Sequence, residues 1–246
     1  MNTGADMAQS EAGFLANYDR KAFDTPLVTV DAVIFTFWQD DLYVLLTQRS
    51  SHPALGQWAL PGGFVDESKD TTLEDTVHRK LREKTGVDAP YVEQLITLGN
   101  QQRDARAWSV TVAYTALIAH QDCETHVDNV SDVKWIPYQQ AVSRKLAFDH
   151  KILLKTARQR LKQKALYSIV PGYALPEEFT LPELQRLHEV LIDKPLQKKS
   201  FRRRIEQAEL LEEAGQRAPQ GKGRPSVVYR LRDRARGYTF TRNLES

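Results

Sequence analysis

Apolar residues recur along this chain in two rhythms. From 27 to 37 the run Leu-Val-Thr-Val-Asp-Ala-Val-Ile-Phe-Thr-Phe is β-branched and apolar almost throughout, as a buried strand should be. Gln39-Asp40-Asp41 turns it, and 42–47 returns as a second strand. Arg49 follows, then a polar loop over 50–56 leading to Trp58. Segments 92–98 and 108–119 predict two further strands, joined by Gln101-Gln102-Arg103-Asp104-Ala105-Arg106. A short strand over 132–136 precedes Pro137, which opens a small helix through Val142. The second rhythm is helical. Leu73, Val77 and Leu81 repeat every four residues and predict a helix with one buried stripe. Thr71 and Thr72, each followed three residues later by Glu74 or Asp75, are capping-box starts, and Gly86 ends the helix. This order predicts a mixed sheet with helices on both faces.

The second half of the chain reads differently. Phe148-Asp149-His150 begins a long helix to about Tyr167, with Ile152, Leu153, Leu154, Ala157 and Leu161 facing inward. His150 is read as a helix-start residue rather than a ligand. Residues 168–176, with Pro171, Gly172 and Pro176, are the expected linker and hinge. Thr180-Leu181-Pro182-Glu183 sets an N-cap and an early proline before a helix carrying Leu184, Leu187, Val190 and Leu191. Asp193-Lys194-Pro195 breaks it. A second helix is expected over 198–214, with Phe201, Ile205, Ala208 and Leu211 inward and Gly215 as its cap. Gln220-Gly221-Lys222-Gly223-Arg224-Pro225 is a flexible basic tip, from which 226–231 returns as a strand. Residues 1–20 are polar apart from a few positions such as Phe14, Leu15 and Tyr18, and predict a frayed start. The expected division is 1–20, a first domain over 21–150, a connecting helix and linker over 151–175, and a second domain over 176–246.

Composition and charge sharpen this. With 246 residues and 41% apolar content, the chain has room for two modest soluble domains. One cysteine, Cys123, excludes a disulfide framework and suits a reducing cytosol. Neither a signal peptide nor a membrane span is expected. The net charge of +2 hides a division: residues 1–150 carry 13 Lys and Arg against 21 Asp and Glu, whereas 151–246 carry 21 against 11. Between Lys194 and Arg236 there are 13 basic residues against five acidic ones. A solvated basic face is the plain reading of such a run, but this local excess favours an acidic partner, and double-stranded DNA first. A helix about 12 Å across fits the major groove. Arg202 and Arg203 are then placed to read bases, and Lys198, Lys199, Lys222 and Arg224 to meet phosphates. Helix, turn, basic helix and basic hairpin in this order resemble a winged helix-turn-helix.

The stretch with the most chemical content is Leu60-Pro61-Gly62-Gly63-Phe64-Val65-Asp66-Glu67, running on to Arg79-Lys80-Leu81-Arg82-Glu83-Lys84-Thr85-Gly86-Val87. Gly62 and Gly63 leave room for a ligand beside the main chain. Gly63, Arg79, Leu81, Glu83, Gly86 and Val87 resemble the Nudix box, Gx5Ex7REUxEExGU, which implies an α/β/α sandwich. In Nudix hydrolases the clustered glutamates hold magnesium against a diphosphate, because helical neighbours three and four apart share one face. Those three positions here read Lys80, Glu83 and Lys84, changing the formal charge from −3 to +1. The segment before them is two residues longer than the pattern, and Asp70 alone lies near the earlier acidic position. Neither hydrolysis nor a metal or other cofactor is therefore expected. The diphosphate pocket itself is expected to remain, from Arg49, Gly62, Gly63, Arg79, Glu83, Arg103 and Arg106, with Trp108 or Phe23 as possible adenine partners.

A degenerate Nudix domain followed by a winged helix resembles the Nudix-related transcriptional regulators, the NrtR family. Leu146-Ala147-Phe148-Asp149-His150, Leu175-Pro176-Glu177-Glu178-Phe179-Thr180-Leu181 and Phe201-Arg202-Arg203 carry the likeness, which covers about residues 20–232. The fold class it implies is α/β: a Nudix sandwich with a mixed sheet, then an α+β winged helix. Its functional implication is a homodimeric repressor of NAD biosynthesis or salvage genes, bound to an inverted-repeat operator and released by ADP-ribose. Two alternatives stand beside it: an active Nudix pyrophosphatase with a basic RNA-holding tail, using Asp66, Glu67 or Asp70, and a sugar-responsive regulator of the same architecture.

Overall fold

The computed structural model describes residues 10–19, 21–123, 129–218 and 224–244. Ser10 caps a short helix α1 (Glu11–Asn17) where a frayed start is expected. None of its residues is buried, and Phe14, Tyr18 and Phe23 run in file at 5.6 and 6.5 Å between ring centres. The spine of the molecule is β1 (Leu27–Trp38). It turns through Gln39 and Asp40, both left-handed at φ 49° and 58°, into β2 (Asp41–Arg49). Two left-handed residues in a row match the twist of the paired strands. Short strands β3 (Trp58–Ala59) and β4 (Gly62–Phe64) follow, pairing with β2 and β1 respectively.

Helix α2 (Leu73–Thr85) starts at the expected capping box, Thr72 with Asp75, and ends at Gly86, φ 68°. Strands β5 (Tyr91–Asn100), β6 (Ser109–Leu117) and β7 (Val130–Pro137) complete a seven-stranded mixed sheet. The β1–β6 pair is parallel and the others are antiparallel. Alternation along β1 sends Val30, Ala32 and Ile34 towards α2, where Val77 and Leu81 are buried. Val33, Phe35 and Phe37 face the other side. That side is covered by α3 (Tyr138–Ser143) and the long α4 (His150–Tyr167), giving the α/β/α sandwich. Leu153, Leu154, Ala157 and Leu161 are buried as expected, but Ile152 is 57% exposed and faces solvent.

Residues 168–176 form a buried connection rather than a loose one. A 3-10 turn, Val170–Ala174, has Ile169, Val170 and Ala174 buried, and Tyr173 stacks on Tyr91 of β5 at 5.4 Å. Gly172 is there for closeness: an added Cβ would come within 3.3 Å of Leu184 and Leu231 methyls. Helix α5 (Leu181–Ile192) has the expected Thr180–Glu183 capping box. Helix α6 begins as expected but spans only Lys198–Ala208. Glu209 takes a left-handed backbone (φ 50°) and Leu210 is the buried residue that follows. The chain then runs as β8 (Leu211–Arg217), paired with β9 (Ser226–Leu231). Gly215, φ 131°, sits at the bulge of this pair instead of capping a helix. Leu211 satisfies both periodicities, so periodicity alone carries the helix too far. Most of the expected basic tip, 220–223 with Lys222, lies outside the described residues. One hydrophobic cluster runs without a break from Val33 through α4 and α5 to Phe201 and Leu244. No helix among the described residues is long and apolar enough to cross a membrane.

Candidate functional site

A cleft of about 210 Å³ opens where β1, β4 and α2 meet the start of α4. Arg49, Gly62, Gly63, Arg103 and Arg106 line it, as expected, together with Asp31, Lys80, Lys84, Phe64, Phe148 and His150. Asp31 is its hub. Its carboxylate accepts from Thr111 Oγ1 at 2.8 Å and Arg103 Nη2 at 3.3 Å, and lies 3.4 Å from His150 Nε2. Burial raises this carboxyl, but His150, Thr111 and Arg103 outweigh burial and hold it at about 2. The Leu60 amide donates to His150 Nδ1 at 2.9 Å, which leaves Nε2 of the ring facing Asp31. His150 is thus both a helix-start residue and part of the cleft wall.

The cations of the cleft differ in how far they are already neutralised. Arg103, 7% exposed, is held by Asp31 and by Asp149 at 3.1 and 3.2 Å. Arg106 pairs with Asp104 at 2.7 Å and lies 4.9 Å over the Phe64 ring. Among the described residues the Arg49 guanidinium donates only to carbonyls, those of Pro53 and Ser51, and it stacks 5.1 Å from Phe148. Lys84 forms no ion pair among the described residues, and burial pushes its ammonium down to about 8. Gly62 faces Asp31 across the β1–β4 pair, where a Cβ would lie 2.3 Å from Asp31 Oδ1 and 2.4 Å from the Val30 carbonyl. Its smallness serves this approach. We therefore expect Gly62→Ala to cost ~1–3 kcal/mol of stability in denaturant titration; a loss below ~0.5 kcal/mol would mean the strand pair parts freely.

Arg79 and Glu83 do not line the cleft. Arg79 grips Asp70 through Nε at 2.7 Å and through Nη2, and donates to Glu83 at 3.1 Å. Lys80 Nζ takes the other Glu83 oxygen at 2.9 Å, and its stem runs 3.1 Å from where a Gly63 Cβ would be. The Arg79 hydrogen bond holds the Asp70 carboxyl well below the usual range, and Thr76 and the Asp66 amide add to it. Trp108 and Phe23 are neither core nor cleft: they are 47% and 64% exposed, and Trp108 covers Gly99.

The second surface is on α6. Phe201 and Ile205 are buried, which turns Lys198, Lys199, Arg202 and Arg203 outward. Arg202 reaches Glu206 at 2.7 Å, whereas Lys198, Lys199 and Arg203 form no ion pair among the described residues. Arg224 is exposed just before β9, at the loop end of the β8–β9 hairpin. Elsewhere on this half, charge is tied down, as in Arg217–Glu183 at 2.7 Å and Arg230–Glu178.

Family models match both halves: a NUDIX domain over residues 26–157 and an NrtR DNA-binding winged helix domain over 171–231. An ADPR-responsive transcriptional repressor of Acinetobacter baylyi is 44% identical over 236 residues, covering 96% of this chain and 94% of that protein. The chain belongs to the NrtR family. The crystal structure of Shewanella oneidensis NrtR with a 27mer DNA is 58% identical, with TM-score 0.82, and covers 89% of this chain and 99% of that one. The NUDIX domain of the same NrtR, crystallised with ADP ribose, matches 62% of this chain and 99% of that one with TM-score 0.61. Within this NrtR-family chain, sequence reasoning missed Asp31 as a site residue. The signal was present: a lone charge inside an otherwise apolar strand must be paired when buried. Phe64, Phe148 and Asp104 gave no comparable signal, because their role depends on loops meeting in space.

Proposed function

We propose that this protein is a transcriptional repressor that binds operator DNA through its winged helix and releases it when ADP-ribose enters the Nudix cleft. The observation that supports this most is the cleft itself: Arg49, Lys80, Lys84, Arg103 and Arg106 surround it, against the two carboxylates Asp31 and Asp104. That excess of positive charge suits a diphosphate. The similarity to a NUDIX domain that was crystallised with ADP ribose supports the choice of ligand. We further propose that operator binding is dimeric, to an inverted repeat, and that the regulated genes belong to NAD biosynthesis or salvage. A protein acting on genomic DNA works in the cytoplasm.

The residues at the Nudix magnesium positions do not fit a divalent cation. Glu83 is the one carboxylate among them, and Arg79 and Lys80 engage both of its oxygens. No three His, Cys, Asp or Glu converge as a metal site among the described residues. An ammonium roughly 5 Å from a divalent ion costs up to about 6 kcal/mol. Binding without hydrolysis is the reading these side chains support. It is tested by incubating purified protein with ADP-ribose and magnesium, and by a gel shift against the gene's own upstream region with and without ADP-ribose. We expect AMP release far below ~1 per second and loss of the shifted band. Turnover in the ordinary enzyme range, or a band indifferent to ADP-ribose, would overturn it.

A further inference from the structure

Two of three consecutive residues at the start of α4, Phe148 and His150, line the cleft, Asp149 lies between them, and each of the three is held in an unusual way. Phe148 has a left-handed backbone, φ 51°, which a bulky residue adopts only when its surroundings enforce it. Its ring lies beneath the Arg49 guanidinium. Asp149 is the N-cap of α4, the position where an aspartate normally accepts an amide of the first helical turn. Here it makes no such bond. Its two oxygens are instead taken by Arg103 Nε and Nη2. His150 is fixed between the Leu60 amide and Asp31.

From its middle onward, α4 is fastened to the winged helix. Arg158 donates to the carbonyls of Leu191 and Val190 at 2.8 and 3.2 Å, and Lys162 reaches Asp193 at 2.7 Å. The Ala165 carbonyl accepts from His188 Nδ1 at 2.9 Å. All four partners lie on the last turns of α5 or its cap, and His188 packs 5.6 Å from Phe201 of α6. A displacement of α4 is therefore delivered to the helix that carries Arg202 and Arg203.

We propose that Arg103 reads ligand occupancy: an anionic diphosphate in the cleft competes with Asp149 for its guanidinium, and the freed Asp149 turns to cap α4. Arg103 and Asp149 are positioning residues in this scheme, and α4 is the part that moves. Capping needs Asp149 to leave its present backbone, ψ 13°, for the extended region usual at N-caps. That rotation also lets Phe148 leave its left-handed conformation. The two arrangements of 148–150 are the two states that the ligand selects between. This inference rests on the reading of the cleft as an ADP-ribose site.

The test uses the full chain, ADP-ribose and the 27mer DNA of the Shewanella relative, with both affinities measured for wild type and variants. Asp149→Asn keeps the ability to cap but loses the charge that holds Arg103. It should bind DNA 5- to 150-fold more weakly without ligand, and bind ADP-ribose correspondingly more tightly, because linkage is reciprocal. Mere structural damage would not tighten ligand binding. Arg158→Ala, in the middle of α4 and away from the cleft lining, should bind ADP-ribose as wild type does while the ligand's effect on DNA affinity shrinks. If wild type responds to ADP-ribose and Asp149→Asn has wild-type affinities for both, the inference is overturned and the functional reading survives. A full response in Arg158→Ala also overturns it, and this variant decides the matter should Asp149→Asn not fold. If wild type itself shows no response, both fall together.

Discussion

Raising the salt from about 50 to about 200 mM should weaken binding of this protein to DNA by about four orders of magnitude. The expectation follows from the α6 surface. Lys198, Lys199 and Arg203 are exposed without an acidic partner among the described residues, and Arg224 is exposed just before β9. If each protomer of a dimer neutralises about four phosphates, a log–log salt slope near −7 results from released counterions. Within that total the residues divide by role. Arg203→Ala should cost ~1–3 kcal/mol and relax base preference, since its guanidinium is free to pair bidentately. Arg202→Ala should cost less than the same change at Arg203, because Glu206 already occupies its guanidinium. Lys199→Ala should lower affinity for all sequences alike and flatten the slope by about one per protomer. Fluorescence anisotropy over a salt series separates these outcomes. A slope near zero would remove the electrostatic account of α6.

Asp31→Ala should destabilise the fold by ~3–5 kcal/mol, lowering the melting temperature by on the order of 10 °C. Asp31 is 6% exposed, and its loss leaves Thr111 Oγ1 and His150 Nε2 without this partner and Arg103 with Asp149 as its remaining carboxylate among the described residues. The same carboxylate makes stability depend on acid. Its folded pKa, about 2, lies below the ordinary 3.8, so its contribution is complete above that value and disappears as pH falls towards 2. The difference amounts to about 2 kcal/mol. Denaturant titrations at pH 5, 3 and 2 would show this slope in wild type, and Asp31→Asn should lack it. Equal slopes in both proteins would assign the acid sensitivity to other carboxylates.

Much of the fold is legible in the sequence because local and global signals agree there. The β1–β2 hairpin, the α2 capping box and the α5 capping box each carry their own start and stop residues. Legibility fails where long-range contact overrides a local pattern. Leu211 continues the α6 stripe on paper, yet pairing with β9 draws it into a strand. Pro171 and Gly172 read as a linker, yet they let the chain pass close against Leu184 and Leu231. The site divides in the same way. Arg49, Arg103 and Arg106 are visible as cations near a glycine turn, but only the fold reveals how fully Asp31, Asp149 and Asp104 already occupy the last two. Arg79 looks like a ligand contact and is instead tied to Asp70 and Glu83.

If the cleft is the ligand sensor proposed above, the two lysines on α2 change what it reports. A metal-dependent site answers to two concentrations, that of the ligand and that of the ion it must capture first. Lys80 and Lys84 arrive with the polypeptide, so the positive charge facing the cleft is the same in ion-poor and ion-rich surroundings. A site that holds its ligand without cutting it also leaves the measured quantity undisturbed, as a thermometer of small heat capacity leaves a bath. On the proposed reading of binding without hydrolysis, each occupied molecule returns its ligand intact when it lets go. The reading then follows the pool in both directions, rising and falling with it, and the instrument does not drain what it measures.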